Sequence, residues 1–509
     1  MISEIWTASL SGISGEAVRV ETALTRGIPA CSVVGLADIT IKESGARIRS
    51  AILNSGYEYP QRRITVNLAP AGARKDGSHF DLPIAAGILA AADPVGRDTG
   101  QYGFLGELSL DGRINPVKGA LPLTICLCEN GFKKIILPSG NAAEASMAKD
   151  AELYPVRSLK EVRAFMKGEK ELRLYVRRDF DSPRETAGEP DYSDVAGHEN
   201  VKRAMVICAA GGHGMLMIGA PGSGKTMLAR RLPTVMPEMS YEEKMQVTKI
   251  YSIAGLLSED SPMPESRPFR SPHHTITVSA LLGGGLKPKP GEFSLSHYGV
   301  LFMDEITHFR PQVLEALRQP LEEEKICINR RESTVIFPGK VILVAAANPC
   351  GCGYAGDPTH ECTCSDAEIR HYRAKLSGPL LDRIDIHVKV ERIRYDQLEM
   401  TGSRVSSSDM RRQVSAARKM QQERYRNESI FFNSQLSPRL IKKSCMLGIE
   451  EQAIMKEAYE KFSLSIRTYI KMIKLARTIA DIEQSPGIRP EHLMEALQYR
   501  GPDELCRRN

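Results

Sequence analysis

The stretch Gly219-Ala220-Pro221-Gly222-Ser223-Gly224-Lys225-Thr226 constrains this chain more than any other. It fits the pattern G-x-x-x-x-G-K-[ST] at every fixed position. Met215 to Ile218 before it is a short apolar run, as expected of a buried parallel strand, and Met227 to Leu232 after it lacks Gly and Pro and reads as a helix. Strand, glycine loop and helix together aim several backbone N–H groups and a helix N-terminus at one anion. In such a loop Lys225 reaches the β- and γ-phosphates of a nucleotide, and the Thr226 hydroxyl is offered to Mg2+. The expectation is ATP with Mg2+ as its partner ion.

A second motif follows about 80 residues on. Val300-Leu301-Phe302-Met303-Asp304-Glu305 is an apolar strand ending in two carboxylates. Asp304 is expected to hold Mg2+, directly or through water, and Glu305 to orient or deprotonate an attacking water. Val341 to Ala347 is a further buried strand ending in Asn348, an amide suited to sensing the γ-phosphate or simply to a strand-end turn before Pro349. Just upstream, Lys325 to Asn329 and Thr334 to Phe337 flank Arg330-Arg331-Glu332-Ser333, which reads as a β-hairpin with a charged tip. That tip is either solvated or placed to touch a phosphate backbone.

At 509 residues the chain has room for about three domains. Apolar content of 42% with 26% charged residues describes a globular protein, and the net charge of +6 permits nucleic-acid contact without arguing for it. No apolar run approaches a membrane span, and Met1 to Leu10 lacks a basic n-region and an apolar h-region, so a cytoplasmic, reducing location is expected. Cys350-Gly351-Cys352 and Cys362-Thr363-Cys364 put four thiols within fifteen residues. Structural zinc, free thiols and a redox role all remain open for them. His273 and His274 read as loop or interface residues rather than ligands.

Residues 1–168 alternate strands with helices, an α+β unit with its own core. The expected strands are Ala17 to Glu21, Cys31 to Val34, Arg63 to Asn67, Phe104 to Leu108 and Lys134 to Leu137. Helices are expected over Ile39 to Asn54, capped by Asp38, and over Leu82 to Ala91 and Leu121 to Glu129. Lys75-Asp76-Gly77-Ser78, Gly106 to Ile114 and Ile135 to Pro138 resemble the Lon-protease/ribosomal-S5-like domain. Lon-type proteases use a Ser–Lys pair. Here the register puts His79 and Leu121 at or near those positions, with Ser78 and Lys118 out of step, which implies a non-catalytic scaffold and a structural or surface role for His79. Residues 169–190 are polar, with Pro and Gly, and read as a linker. Asp191 to Glu199 resembles the segment that opens AAA+ modules beside the adenine.

The remaining motifs extend the likeness. Arg270-Ser271-Pro272-His273-His274-Thr275, Gly283-Gly284-Gly285, Leu317-Arg318-Gln319-Pro320-Leu321-Glu322 and Gly378 to Asp385 resemble the magnesium-chelatase-like AAA+ family, and with the Lon-like front they point to its ComM/YifB branch. The resemblance implies a P-loop α/β motor over 191–393 and an all-helical lid over 394–509, assembled as a homo-oligomeric, hexameric ring without membrane contact. It implies that Arg383 is an arginine finger reaching a neighbour's ATP, although Arg383 has Asp382 and Asp385 as possible local partners. It implies that Arg467, at the start of the helix Thr468 to Ile482, is the sensor-2 arginine. It also implies a DNA motor, a branch-migration translocase or helicase acting on branched or single-stranded DNA in recombination or natural transformation; a protein-remodelling motor of the metal-chelatase type is the alternative. A helix capped by Ser408-Asp409 and running to about Arg426 carries Arg411, Arg412, Arg418, Lys419, Arg424 and Arg426, a solvated basic face or a DNA contact. Pro490 to Tyr499 reads as a final helix.

Overall fold

A computed structural model describes residues 2–72, 75–93, 96–177, 190–285, 288–329, 334–376, 378–393 and 405–499. The charged tip Arg330-Arg331-Glu332-Ser333 and most of the expected linker lie outside the described residues.

Two sheets organise the chain. The first has seven strands in the order Ala30–Val34, Arg63–Ala69, Ser14–Thr25, Ile2–Ser11, Tyr102–Phe104, Lys134–Pro138, Glu152–Val156. Alternation in Ser14–Thr25 buries Val18, Val20, Thr22 and Leu24 on one face, against the helices Ile39–Asn54 and Asp81–Ala92. Asp38 caps the first of these helices by accepting the Ile41 N–H. Ile2–Ser11, anticipated only as a segment without a leader's features, is a central strand paired along its length with Ser14–Thr25. The expected strand Phe104 to Leu108 is instead two short strands, Tyr102–Phe104 and Glu107–Leu108. His79 is buried and its Nε2 lies 2.9 Å from the Ala8 carbonyl oxygen, and Leu121 is fully buried beside Met147, Ala148 and Met263. Neither position offers a Ser–Lys pair.

The second sheet is wholly parallel, in the order Phe269–Arg270, Val300–Met303, Ile342–Ala347, Met215–Ile218, Ile386–Lys389. The three central strands are buried almost throughout, which is why they read as continuous apolar runs. The helix Glu199–Gly211 covers one face, and short helices between Val278 and Glu323 cover the other. The helix after the phosphate loop, Lys225–Arg230, stops at Arg231 before a second short helix, Leu232–Val235.

From Ser407 to Gln498 the regular structure is helical. The helix Ser407–Arg424 is capped by Ser406, not Ser408: the Ser406 hydroxyl accepts the Asp409 N–H while the Asp409 carboxylate accepts from the Ser406 N–H. Met410, Val414 and Ala417 face inward as expected. Its basic face is only partly solvated. Arg411 donates to the Thr234 carbonyl, Arg418 lies over the Phe432 ring, and Arg424 pairs with the fully buried Asp481. Arg412, Lys419 and Arg426 are the members left exposed. Of the inward arginines only Arg424 is drawn in by the helix Ile466–Ile482, whose buried Asp481 carboxylate needs a cation. Among the described residues no helix is long and apolar enough to cross a membrane.

His297 joins the strands that carry the site. It accepts the Lys340 backbone N–H at Nδ1 (2.9 Å) and meets Gln246 Oε1 at Nε2 (3.1 Å), so the neutral ring fits both partners. Burial, with the Lys340 charge second, pushes its pKa down from 6.5 to about 3. Below pH 6.5 the unfolded chain therefore takes up a proton that the folded chain refuses, and stability falls as pH falls. The contribution has a slope of at most roughly 1.4 kcal/mol per pH unit in that window. Thermal midpoints measured from pH 7 to 4.5 should decline less steeply in His297→Gln than in the parent; equal slopes would contradict this assignment.

Candidate functional site

The parallel register brings three strand ends to one edge. Ile218 is paired with Ala347 and Met303 with Ala345, so Gly219, Asn348 and Asp304 leave the sheet side by side. Ligand sites of parallel α/β sheets form here, outside the carboxyl ends of the strands. A cavity of about 410 Å3 lies at this edge, lined by Pro221 to Met227, Asp304, Glu305, Ala346, Ala347 and Asn348.

Glycine is required where the backbone is tightest. A Cβ on Gly219 would sit 2.3 Å from the Val390 carbonyl oxygen, and Gly224 has φ +86°, the left-handed region. Lys225 is buried and its Nζ donates to the carbonyls of Gly219 (2.7 Å) and Ala220 (3.0 Å) and to Asn348 Oδ1 (3.2 Å). Burial lowers its pKa, against the opposing pull of Asp304 and Glu305. The Thr226 hydroxyl donates to Asp304 Oδ2 at 2.7 Å, and Asp304 Oδ1 accepts the Glu305 N–H at 3.0 Å. Glu305 sits at φ +48°, unusual for a non-glycine residue. Its half-exposed carboxylate lies 3.1 Å from His308 Nδ1.

These residues suit a magnesium nucleotide on donor chemistry alone. A buried ammonium and a run of loop N–H groups match phosphate oxygens, and a hydroxyl beside a carboxylate is a hard-oxygen pair of the kind Mg2+ takes. Two buried atoms beside the loop, Ser223 Oγ and His198 Nε2, have no hydrogen-bond partner among the described residues. His198 Nε2 is 3.7 Å from where a Gly224 Cβ would stand. The rest of the segment Asp191 to Glu199 has another use. Tyr192 is fully buried and donates its hydroxyl to the Leu228 carbonyl, and Asp191 accepts the Ser407 N–H.

Arg383 and Arg467 are not in this cavity. Both reach Glu322, Arg383 at 2.7 Å and Arg467 at 3.3 Å, and both line a separate cavity of about 500 Å3 with Lys471 and Lys474. Arg383 thus has an ion-pair partner in Glu322, far from it in sequence. Asp385 is committed to buried partners, His213 Nδ1 at 2.8 Å and Lys471 Nζ at 2.6 Å. Burial would raise the Asp385 carboxyl, but Lys471 and His213 together hold it below the usual carboxylate range. Sequence reasoning missed Glu322 as the anchor of both arginines. It sits at the end of the Leu317 to Glu322 motif, but no spacing rule links a helix at 318–323 to residues 383 and 467.

The four thiols of Cys350, Cys352, Cys362 and Cys364 do come together, all within 4.8 Å of one another. The Tyr354 backbone N–H, with neighbouring thiols, favours the Cys352 thiolate and pulls its pKa down to about 5. The His273 and His274 rings lie against each other, tilted by 35° with centroids 4.1 Å apart, and His273 is exposed.

Three family models cover most of the chain: "Subunit ChlI of Mg-chelatase" over residues 20–141, "Magnesium chelatase, subunit ChlI" over 191–398, and "Magnesium chelatase, subunit ChlI C-terminal" over 404–500. The competence protein ComM of Haemophilus influenzae is 39% identical over 511 residues, covering 99% of this chain and 98% of that protein. The chain belongs to the magnesium-chelatase subunit ChlI family. Within that family its likeness runs end to end with ComM and with YifB of Salmonella typhimurium, which is 37% identical over 98% of this chain and 97% of YifB. Likeness to Lon protease is partial: 27% identity to the Rhizobium meliloti enzyme over 30% of this chain and 20% of that protein.

A buried ammonium at the cavity, as at Lys225, gives an expectation for nucleotide affinity. Lys225→Ala should weaken binding of a fluorescent ATP analogue by roughly 10- to 100-fold, the worth of a charged hydrogen bond. Unchanged affinity would contradict that expectation.

Proposed function

We propose that this protein is an Mg2+-dependent AAA+ ATPase working as a homo-oligomeric, hexameric ring in the cytoplasm, and that its work is translocation on branched or single-stranded DNA. The observation that carries the ATPase reading is the convergence of Lys225, Thr226, Asp304, Glu305 and Asn348 on one cavity. In this reading Gly219 to Thr226 cradle the phosphates. Thr226 and Asp304 hold Mg2+, which when bound offsets phosphate charge. Glu305 takes up the proton of the attacking water or orients it, and the Asn348 amide helps to position that water. The roles of all these residues are proposals, as is the division into a Lon-like unit over 1–168, a linker over 169–190, a motor over 191–393 and a helical lid over 394–509. The three matched segments support that division.

The ring reading rests on Arg383 and Arg467. They share one anchor and line a cavity that contains no residue of the phosphate loop. An Arg383 guanidinium set there would reach the nucleotide of an adjacent subunit and stabilise charge developing on its γ-phosphate, while Arg467, as the sensor-2 arginine, would read the phosphates and couple nucleotide state to the lid. The DNA reading rests on full-length similarity to a competence protein and on the Arg330-Arg331 tip. The helix Ser407–Arg424 adds little to it, since three of its five basic side chains are turned inward. A protein-remodelling motor of the chelatase type is the second reading, favoured by the chelatase names of all three family models.

ATP turnover measured with and without a four-way DNA junction at low salt should rise with the junction, and Glu305→Gln should abolish both rates. A rate indifferent to DNA would favour the second reading; Glu305→Gln at full activity would overturn the catalytic assignment. Arg383→Ala should bind nucleotide normally yet lose turnover by roughly 1,000-fold or more, the scale of a missing arginine finger. Mixing it with Lys225→Ala should restore part of the rate if the finger acts between subunits. No recovery would count against a shared site.

A further inference from the structure

The strand Ile342–Ala347 runs through Asn348 straight into the four-thiol loop, and that loop returns to the phosphate loop. Between Gly351 and Ser365 the chain has no helix or strand and is mostly exposed, so it has little apolar core of its own. Yet its sulfurs are closely gathered. Cys350 Sγ lies 3.3 Å from Cys352 Sγ and 3.7 Å from Cys362 Sγ, and Cys352 and Cys362 are 3.5 Å apart. These separations are too long for a disulfide. They approach the edge of about 3.8 Å that four sulfurs 2.3 Å from a tetrahedral zinc would form. Two backbone N–H groups already point at sulfur, Cys352 N to Cys364 Sγ and Ala355 N to Cys350 Sγ, each at 3.3 Å. Such donors support thiolates in tetrathiolate sites.

The loop also touches the nucleotide cavity. Gly353 packs so closely on Pro221 that a Cβ there would lie 2.6 Å from the proline ring. Arg392 donates to the Pro221 carbonyl at 3.3 Å and holds the far side of the thiol loop, with His360 Nδ1 at 2.9 Å and Asp357 at 3.6 Å. Cys350 is two residues from Asn348, whose Oδ1 accepts from Lys225.

We propose that Cys350, Cys352, Cys362 and Cys364 bind one structural Zn2+ ion, and that this closed tetrathiolate site braces Pro221 and Asn348, so that metal loading sets nucleotide affinity. Binding releases the thiol protons to solvent and forms four Zn–S bonds without any redox change. All four positions are filled by protein, so the ion does no chemistry on substrate. The bracing half of the proposal rests on nucleotide binding at the phosphate loop; the metal half does not.

The full-length chain, purified without chelator, should contain about one zinc per chain by elemental analysis. Cys352→Ser and Cys364→Ser should lose it, whereas Cys31→Ser, at an exposed cysteine outside the cluster, should keep it. Because the serine variants risk misfolding, zinc is also to be stripped from the folded parent with a mercurial thiol reagent. Release is followed with a zinc dye, and a fluorescent ATP analogue is titrated before and after. Stripping should weaken nucleotide binding by roughly 3- to 30-fold, the scale of coupling through a packed network, and thiol reductant plus Zn2+ should restore it. A chain without zinc that takes up none when Zn2+ is supplied, or one that holds iron with a visible charge-transfer band, would overturn the metal assignment. Stoichiometric zinc whose removal leaves nucleotide affinity unchanged would overturn the bracing. Absence of nucleotide binding in both forms would overturn the bracing together with the ATPase reading, while the zinc content would stand.

Discussion

Everything at the candidate site depends on the pairing of Met215–Ile218 with Ile342–Ala347. In a parallel pair a shift of one residue turns each side chain to the other face. The observed register sets Ile218 against Ala347, and so delivers Gly219 and Asn348 to the same edge. The neighbouring pairing of Val300–Met303 then delivers Asp304. With the strand ends fixed, Lys225 has three oxygen acceptors within 3.2 Å and Thr226 meets Asp304. The buried apolar strands supply the stabilisation, and the polar groups are carried at their ends where the cavity opens.

A second set of interactions joins the C-terminal helices to this sheet. His213, just before Met215–Ile218, is buried between Asp385 and Thr478. Asp385 in turn holds Lys471, and Asn433 bonds both Thr478 and Asp481. Removing one partner from a buried charged network leaves another uncompensated, so such a network specifies one arrangement of its helices. Arg383 and Arg467 emerge beside this network. Their common position at Glu322 is therefore a consequence of how the helix Ile466–Ile482 is seated on the sheet.

The front of the chain contacts the same body through a small apolar cluster, with Leu121, Met147 and Ala148 against Met263. The Gly119 N–H donates to the Ser252 carbonyl nearby. At the far end of the first hairpin, a Cβ on Gly12 would stand 2.8 Å from the Ile336 carbonyl oxygen, on the hairpin that precedes Asn348. The position aligned with a protease lysine, Leu121, thus serves packing between the two sheets' surroundings, which explains an apolar residue there.

Local signals were strong where geometry is local. The phosphate loop is one continuous stretch, the helix Ile39–Asn54 with its Asp38 cap follows from short-range rules, and the strands Lys325–Asn329 and Thr334–Pro338 pair across a short gap. Even there, Ser406 rather than Ser408 closed a capping box, because three consecutive serines offer the same hydroxyl and only backbone conformation chooses between them. The sequence by itself determined the phosphate loop, the apolar strands with their carboxylate and amide ends, and the presence of four clustered cysteines, since all of these are short patterns with a physical period. Tertiary structure alone decided that Arg383 and Arg467 share Glu322, that Asp385 belongs to His213 and Lys471, that most of one helix's basic side chains face inward, and that the thiol loop leans on Pro221. Those are contacts between residues tens to hundreds of positions apart, and no local spacing encodes them; packing of the helices on the parallel sheet does.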